Sequence, residues 1–251
     1  TSTSDTEVVL VALEKWGSKA LNRFNGMFAL ACWDSSDRSL MLARDRYGIK
    51  PLYYSLQNSV FSFASEQKAI LTLPSFNHEI DKKALLEYFT FQNIFTNKTL
   101  FQDIEIVPAG SYIKVKSENG RLFTEQYWDY NFQEPEVKKS ERDYIDELDF
   151  LFRQAVNRQL ISDVEVGAYL SGGIDSGAIT AVASQSLQEL KSFTCGFDLS
   201  SASGIELNFD ERQKAEMMSA QLKTEHYEIV LKAGDMERCL PKLAYHLEEP
   251  R

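Results

Sequence analysis

Residues 166–180, VGAYLSGGIDSGAIT, constrain the fold more than any other stretch of this sequence. An apolar, strand-like run ends at Leu170, a short loop of glycine and serine follows, and a helix-like pattern continues from Ser176. Glycine lets a chain turn sharply and bring its backbone close to a ligand. The free N–H groups of a helix N-terminus favour an anion. The order of strand, glycine loop and helix therefore predicts a phosphate-binding turn in an α/β domain.

The polar side chains of this loop indicate which ligand it takes. The hydroxyls of Ser171 and Ser176 can donate to an anion, whereas the carboxylate of Asp175 would repel phosphate without a cation between them. Mg²⁺ commonly bridges carboxylate and phosphate oxygens. The loop has neither Walker A nor Rossmann glycine spacing. The alternative is a plain Gly-Gly turn in which the serines and Asp175 only cap the helix.

The chain before residue 129 has the pattern of an antiparallel sheet with flanking helices. Ser4 and Glu7 have capping-box spacing ahead of one helix, and Asp81 is predicted to cap another. Three pairs of β-rich runs enclose short polar turns, as expected for hairpins. The predicted turns are 35–37, 57–59 and 118–120.

The pattern changes after a polar stretch without periodicity at 129–140, which is predicted to be an interdomain linker. A capping box at Ser140 and Asp143 begins a long helix. Strand-like runs then alternate with helices, which predicts parallel pairing through right-handed crossovers. The runs lie at 164–170, 192–197 and 226–231. We expect an antiparallel domain over 1–128 and a doubly wound α/β domain over 141–251.

Composition limits the classes of function. The 251 residues include 27 Lys and Arg against 37 Asp and Glu, and the net charge of −10 argues against a nucleic-acid partner. Three widely spaced cysteines and three histidines indicate neither a disulfide framework nor a zinc site. Apolar runs are too short for a membrane span, and no signal-peptide pattern opens the sequence. A cytoplasmic enzyme or a fragment of one is the simplest interpretation.

Several motifs, in this order, resemble the glutamine-hydrolysing asparagine synthetase family. They are ARDRYGIKPLYY at 43–54, FASEQKAIL at 63–71, VPAGSYI at 107–113, LSGGIDS at 170–176 and SFTCGF at 192–197. The resemblance covers essentially the whole chain. It implies an α+β antiparallel glutamine amidotransferase domain of the Ntn type, followed by an α/β parallel-sheet domain of the PP-loop ATP pyrophosphatase type.

The resemblance also implies an activity and its ligands. Members of the family hydrolyse glutamine, pass the ammonia through an internal tunnel, and amidate a carboxylate that ATP and Mg²⁺ have adenylylated, releasing AMP and pyrophosphate. Aspartate is the expected acceptor, which makes the product asparagine. Sugar uronates or β-lactam precursors are alternative acceptors, and a non-catalytic ATP-binding module is an alternative of another class. No membrane partner is expected, and a homo-oligomer is compatible with this plan.

Roles in ATP binding follow from the resemblance, residue by residue. The implied phosphate-binding set is Ser171, Gly172, Gly173, Asp175 and Ser176, with Asp175 as the metal ligand. Leu170 and Cys195 match positions that hold the adenosine. Core packing is the alternative for both, and a buried strand cysteine would be inert.

Roles in the first domain are fewer. Asp5 matches an aspartate that binds the α-amino group of substrate glutamine, and a first-turn acid in the capping box is the alternative. Arg44 and Asp45 belong to an RD-x-x-G-x-K-P turn that we interpret as a structural, ion-paired corner. No catalytic residue is assigned.

Two parts of the family pattern do not appear in the sequence. The family's glutaminase opens with a Cys-Gly pair whose cysteine is the nucleophile. Thr1 is a poor replacement, because TSTSDTE begins a helix rather than a core strand. A second glycine–acid loop, expected after YHLEEPR at 245–251, is also missing. The expectation is a chain truncated at both ends, whose 251 residues alone do not hydrolyse glutamine.

Overall fold

The computed structural model describes residues 4–74, 76–116, 120–135, 137–199 and 210–249. The chain forms two compact units. The first comprises Thr1–Gln133 with Leu243–Arg251, and the second is Glu134–Lys242. The chain therefore leaves the first unit within residues 129–140. The domain limits 1–128 and 141–251 stay a prediction.

The first unit is built from two antiparallel sheets, as its alternating runs predict. Its helices are α1 (Asp5–Trp16), a 3-10 helix (Gly17–Arg23), α2 (Gln67–Leu71) and α3 (Lys82–Phe91). Its strands are β1 (Ala29–Asp34), β2 (Ser39–Arg44), β3 (Tyr53–Gln57), β4 (Val60–Ala64), β5 (Glu105–Ile106), β6 (Ser111–Lys116) and β7 (Leu122–Gln126). One sheet has the order β1-β2-β6-β7 and the other β4-β3-β5. The antiparallel prediction is confirmed.

Local signals set the hairpins and helix starts of this unit. Asn58 and Ser59 both have positive φ, 52° and 63°, which suits a two-residue hairpin turn between β3 and β4. Asp81 is the N-cap of α3 and accepts from the N–H groups of Lys83 and Ala84, as predicted. The turn between β6 and β7 was predicted at 118–120, and its residues 118 and 119 lie outside the described residues.

The core of the first unit lies against both sheets. Leu42, Ile113 and Val107 are fully buried at its centre, and Tyr53 and Ile70 belong to a second buried cluster beside β3. Burial of side chains of this size stabilises the fold by roughly 1.5 to 3 kcal/mol each. The packed strands hold the loops between them in place.

A buried carboxylate organises the turn after β2. Asp45 is 1% exposed, and four backbone N–H groups donate to its two oxygens. The donors are Phe28 (3.3 Å), Tyr47 (3.1 Å), Ile49 (3.0 Å) and Lys50 (2.9 Å). Hydrogen bonds to a charged acceptor are stronger than those to a neutral one. These four N–H groups therefore replace the water that the Asp45 carboxylate loses on burial.

Arg44 completes the same turn by donating to backbone carbonyl groups. Its guanidinium reaches the carbonyl oxygens of Gly48 at 2.6 Å, Lys50 at 2.8 Å and Val107 at 2.9 Å. The expectation of an ion-paired corner is therefore wrong about the partners. Both charged side chains bind main-chain groups instead, because the tight turn points its N–H groups at Asp45 and its carbonyl groups at Arg44.

The second unit is a parallel α/β arrangement. It contains α4 (Glu141–Gln159), β8 (Gly167–Tyr169), α5 (Ile174–Ser186), β9 (Lys191–Phe197), α6 (Arg212–Leu222) and β10 (Glu225–Leu231), and α7 (Asp235–Leu247) follows. The parallel pairing and the Ser140–Asp143 capping box of α4 are confirmed. No helix in the described part of the chain is long and apolar enough to cross a bilayer.

The strand order of this sheet differs from the expectation. The order β10-β9-β8 follows the chain without reversal, so right-handed crossovers put α5 and α6 on the same face. The opposite face exposes aromatic side chains, with Tyr169 88% exposed beside Phe193 and Tyr227. For the residues that the structure describes, the sheet is singly wound, and the doubly wound prediction is wrong.

Replacing Asp45 by Asn should destabilise the first unit. The amide nitrogen of Asn would face backbone N–H donors, which leaves at least one of them without an acceptor. We expect a loss of roughly 2 to 4 kcal/mol in the free energy of unfolding, measured by urea denaturation. The matched control is Asp129→Asn at an exposed position, which should stay within about 0.5 kcal/mol of wild type. Equal losses in the two variants would contradict the role of Asp45.

The hydroxyl of Tyr127 gives this unit an alkaline pH dependence. It donates to the Arg44 carbonyl at 2.8 Å, and burial, with the nearby Asp45 charge, raises the pKa of Tyr127 to about 12. A pKa raised above the unfolded value of about 10 means stability that is present below pH 10 and lost as pH rises toward 12. Burial raises the pKa of Tyr53 to about 12 as well.

Tyr127→Phe removes one of these titrating groups. The free energy of unfolding should therefore fall less steeply with pH in the variant than in wild type between about pH 10 and about pH 12. Guanidinium denaturation at a series of pH values measures the two slopes. The remaining slope is attributed to groups such as Tyr53. Identical slopes would show that Tyr127 is already ionised in the folded state at these pH values.

Candidate functional site

The loop between β8 and α5 is anchored to the neighbouring strand by its first residue. Leu170 is 1% exposed, and its N–H donates to the Phe193 carbonyl at 2.9 Å. The carbonyl of Leu170 accepts from the hydroxyl of buried Thr194. Both main-chain groups of Leu170 are thus satisfied by β9. This fixes the direction in which the chain enters the loop.

Two serine hydroxyls hold the loop from inside. The Oγ atoms of Ser171 and Ser176 lie 2.9 Å apart. The N–H of Ser171 donates to Ser176 Oγ at 3.2 Å, and the N–H of Gly173 donates to Ser171 Oγ at 3.3 Å. Both serines are half-buried. The loop is therefore ordered by its own side chains.

The protons of these hydroxyls are not all used within the loop. A hydroxyl has one proton and two acceptor positions. Each Oγ accepts from a backbone N–H, and the two share a single O–H···O bond, so the proton of the other hydroxyl is left. Its internal acceptor is the Gly173 carbonyl, at 3.3 Å from Ser176 Oγ, a length that makes a weak bond. An anion at the loop could instead accept a hydrogen bond from this hydroxyl.

The first turn of α5 presents further donors. Gly173 is the N-cap, no side chain caps it, and the first helical bond runs from the Gly177 N–H to the Gly173 carbonyl at 3.0 Å. The N–H groups of residues 174–176 therefore have no intrahelical acceptor, and the helix dipole makes this end positive. Asp175 is exposed in the same turn.

Gly172 is required by the shape of the loop. Its φ is +74°, and a Cβ built there would lie 2.5 Å from Lys214 Cβ and 3.0 Å from the Ala215 nitrogen. A side chain at this position would meet both backbone strain and steric overlap. The absence of a Cβ thus brings the loop against the first turn of α6.

Leu170 and Cys195, the two positions matched to the adenosine, differ in their accessibility. Leu170 is buried, whereas Cys195 is exposed on the sheet face opposite α5 and α6. Core packing of Cys195 as a buried, inert cysteine is therefore wrong, because β9 alternates and the helices cover only its other face.

Asp5 belongs to the first unit. It is exposed in the first turn of α1, where Ser4 is the N-cap and its hydroxyl accepts from the Thr6 N–H at 3.2 Å. A carboxylate here interacts favourably with the positive end of the helix.

Sequence reasoning interpreted Asp210 as an acid at the N-terminus of α6 and missed its partner Arg212. Arg212 and Asp210 form a two-point ion pair, with the shortest N···O distance 2.6 Å, and the hydrogen bond from Arg212 lowers the pKa of Asp210. The stem of Arg212 crosses Gly196, where a Cβ would lie 2.3 Å from Arg212 Cδ. The glycine within β9 was the one sequence signal for this close approach.

Two family models match the chain. A glutamine amidotransferase domain covers residues 1–128, and asparagine synthase covers residues 147–251. This chain belongs to the glutamine-hydrolysing asparagine synthetase family. The resemblance drawn from its motifs is confirmed.

Individual members of the asparagine synthetase family match nearly the whole chain. Asparagine synthetase [glutamine-hydrolyzing] 1 of Bacillus subtilis is 34% identical over 247 residues, 98% of this chain and 37% of that protein. Asparagine synthetase [glutamine-hydrolyzing] 3 of the same organism is 36% identical over 258 residues, 98% of this chain and 40% of that protein. A putative asparagine synthetase [glutamine-hydrolyzing] of Mycobacterium tuberculosis is 32% identical over 250 residues, 98% of this chain and 37% of that protein. The chain thus spans well under half the length of these relatives.

The two loop glycines of this synthetase-family chain should respond differently to substitution. Gly172→Ala combines a positive φ with overlap at Lys214, so we expect a loss of roughly 2 to 4 kcal/mol in stability of the second unit. Gly173 has a φ of −77° and its built Cβ lies 3.3 Å from Ser171 Oγ, so Gly173→Ala should cost less than about 1 kcal/mol. Thermal unfolding of both variants measures the difference. Equal losses would mean that the loop does not hold the left-handed turn.

Proposed function

We propose that this chain is part of an ATP-dependent amidotransferase that hydrolyses glutamine and uses the ammonia to amidate an adenylylated carboxylate. Aspartate is the proposed acceptor, with release of AMP and pyrophosphate. The observation that carries the proposal is the loop Ser171–Ser176, which places two serine hydroxyls beside the uncapped N-terminus of α5. The names of the relatives support the reaction, and the family match supports the order of the two domains.

The phosphates of ATP are the proposed ligand of this loop. The N–H groups of residues 174–176 and the hydroxyls of Ser171 and Ser176 would donate to phosphate oxygens. Gly173 would let the phosphates approach the backbone. Gly172 would hold the loop in its turn against α6, where a Cβ has no room. When bound, ATP supplies the AMP group that activates the carboxylate.

Asp175 is the proposed ligand for Mg²⁺. Its carboxylate is exposed in the same helical turn as the free N–H groups. Among the described residues, no group of three or more His, Cys, Asp or Glu could hold a metal. Mg²⁺ is often bound by one or two carboxylates together with phosphate oxygens and water, and Asp175 would supply one carboxylate. The metal would place its positive charge between Asp175 and the phosphates.

The remaining ATP-site assignments concern the adenosine. Exposure of Cys195 leaves its side chain accessible to a nucleoside. Leu170 uses both main-chain groups to bind β9, so its proposed part is to shape the floor of the adenosine site. In the finer fold assignment, residues 141–251 form a PP-loop type domain that follows the linker 129–140.

The amidotransferase half of the proposal depends on residues 1–128 as an Ntn-type domain. Asp5 would bind the α-amino group of glutamine, a carboxylate–ammonium pairing that its exposure permits. We also propose a cytoplasmic enzyme whose partners are small-molecule substrates. The complete reaction is proposed for a protein of the relatives' full length, to part of which this chain corresponds.

Asp175→Asn tests the metal and phosphate assignment. In wild type, ATP should bind at least about tenfold more tightly with Mg²⁺ than without it. The variant should lose that ratio, because ATP alone is no longer repelled and Mg²⁺ has lost its protein ligand. Isothermal titration calorimetry of the 251-residue chain with ATP, with and without Mg²⁺, measures both affinities.

The control for this test is Asp163→Asn, which removes the same charge from another exposed position of the second unit. It should keep the wild-type ratio. A Mg²⁺ dependence that survives in Asp175→Asn contradicts the role of Asp175. Failure of wild type to bind ATP under either condition contradicts the loop assignment as a whole.

A further inference from the structure

The loop of the proposed ATP site packs against one particular lysine. A Cβ at Gly172 would lie 2.5 Å from the Cβ of Lys214 and 3.1 Å from its carbonyl carbon. Lys214 is exposed in the first turn of α6. Its flexible four-carbon stem therefore starts directly beside the backbone that the phosphates would approach.

The charge of Lys214 is available, unlike that of its neighbour. Arg212, the other cation of this turn, is held by both oxygens of Asp210 and also donates to the Phe197 carbonyl at 3.2 Å. Among the described residues, no carboxylate lies within 4.0 Å of the Lys214 ammonium. Within the part of the chain that the structure describes, Lys214 is thus a cation without a salt-bridge partner beside the loop.

The loop needs such a cation. Its donors are backbone N–H groups and hydroxyls, which are neutral, and its one charged side chain is the carboxylate of Asp175. A polyphosphate carries several negative charges, and an ammonium group binds phosphate as a point charge from a range of angles. A lysine that enters from α6 would add positive charge beside the loop.

We propose that Lys214 binds the phosphate chain of the nucleotide at the Ser171–Ser176 loop. The inference rests on the proposed ATP site and adds a residue to which the sequence analysis assigned no role. The ammonium donates to non-bridging phosphate oxygens that the α5 N-terminus also binds. Inorganic pyrophosphate presents the same oxygens without the nucleoside, so it is the probe that isolates this contact.

Pyrophosphate binding to the 251-residue chain, in the presence of Mg²⁺, tests the proposal with three variants. Lys214→Met keeps the apolar stem beside Gly172 and removes the charge, and it should weaken binding roughly tenfold or more, as expected for one lost charge-assisted hydrogen bond. Lys214→Arg keeps the charge and should stay within about threefold of wild type. Lys191→Met removes a cation at the amino end of the central strand β9, whereas the loop follows the carboxyl end of β8. This variant should bind as wild type does.

A second readout separates charge from packing. Binding to wild type should weaken as salt is raised, and the dependence should be shallower in Lys214→Met, because one exposed charge pair is no longer screened. Thermal unfolding should be unchanged in that variant, since the stem remains.

The outcomes separate this inference from the function on which it rests. If wild type binds pyrophosphate and Lys214→Met binds equally well, the role of Lys214 is wrong and the loop assignment stands. Loss of binding in Lys214→Met and Lys214→Arg alike, with lowered thermal stability, assigns Lys214 to packing and also overturns the proposal. If wild type binds neither pyrophosphate nor ATP, the ATP site and the Lys214 contact both fall.

Discussion

The close contact between Gly172 and α6 is the constraint on which the candidate site depends. With φ at +74° and no room for a Cβ, the chain turns so that the N–H groups at the start of α5 stay open. The same contact brings Lys214 beside the loop. A larger residue would have to move either α6 or the loop, and packed secondary structure does not shift without cost. The absence of a side chain at Gly172 thus sets the geometry of the loop and places a lysine beside it.

The two units use acidic side chains in opposite ways. Asp45 is buried and accepts hydrogen bonds from four backbone N–H groups, so its carboxylate stabilises a turn. Asp175 lies exposed in the first turn of a helix whose N–H groups have no intrahelical acceptor. A carboxylate that is already saturated has an architectural role, and one that is open beside free donors is suited to a shared cation. This contrast, rather than the presence of an acid, distinguishes a structural turn from a candidate ligand site.

Local chemistry was readable from the sequence, and long-range geometry was not. The Ser140–Asp143 box, the Asp81 cap and the strand–glycine loop–helix order depend on neighbours in the chain, and each is present in the structure. Alternation of strands and helices carries no information about strand order. It therefore could not distinguish a singly wound sheet from a doubly wound one. Exposure of Cys195 follows from that order. Lys214 is 42 positions beyond Gly172 in sequence, a separation at which no periodicity reports a contact.

Order within the loop comes from the same atoms that would bind the ligand. Ser171 Oγ and Ser176 Oγ each accept from a backbone N–H, which fixes the oxygens, while their protons can change partner without moving a heavy atom. An arriving phosphate would therefore replace the weak bond to the Gly173 carbonyl rather than reorganise the turn. Binding to a loop that is already ordered loses little conformational entropy, so more of the electrostatic attraction appears as affinity. The flexible side chain of Lys214 would complement this ordered loop. Its ammonium group could move with the phosphates as their charge changes during a reaction.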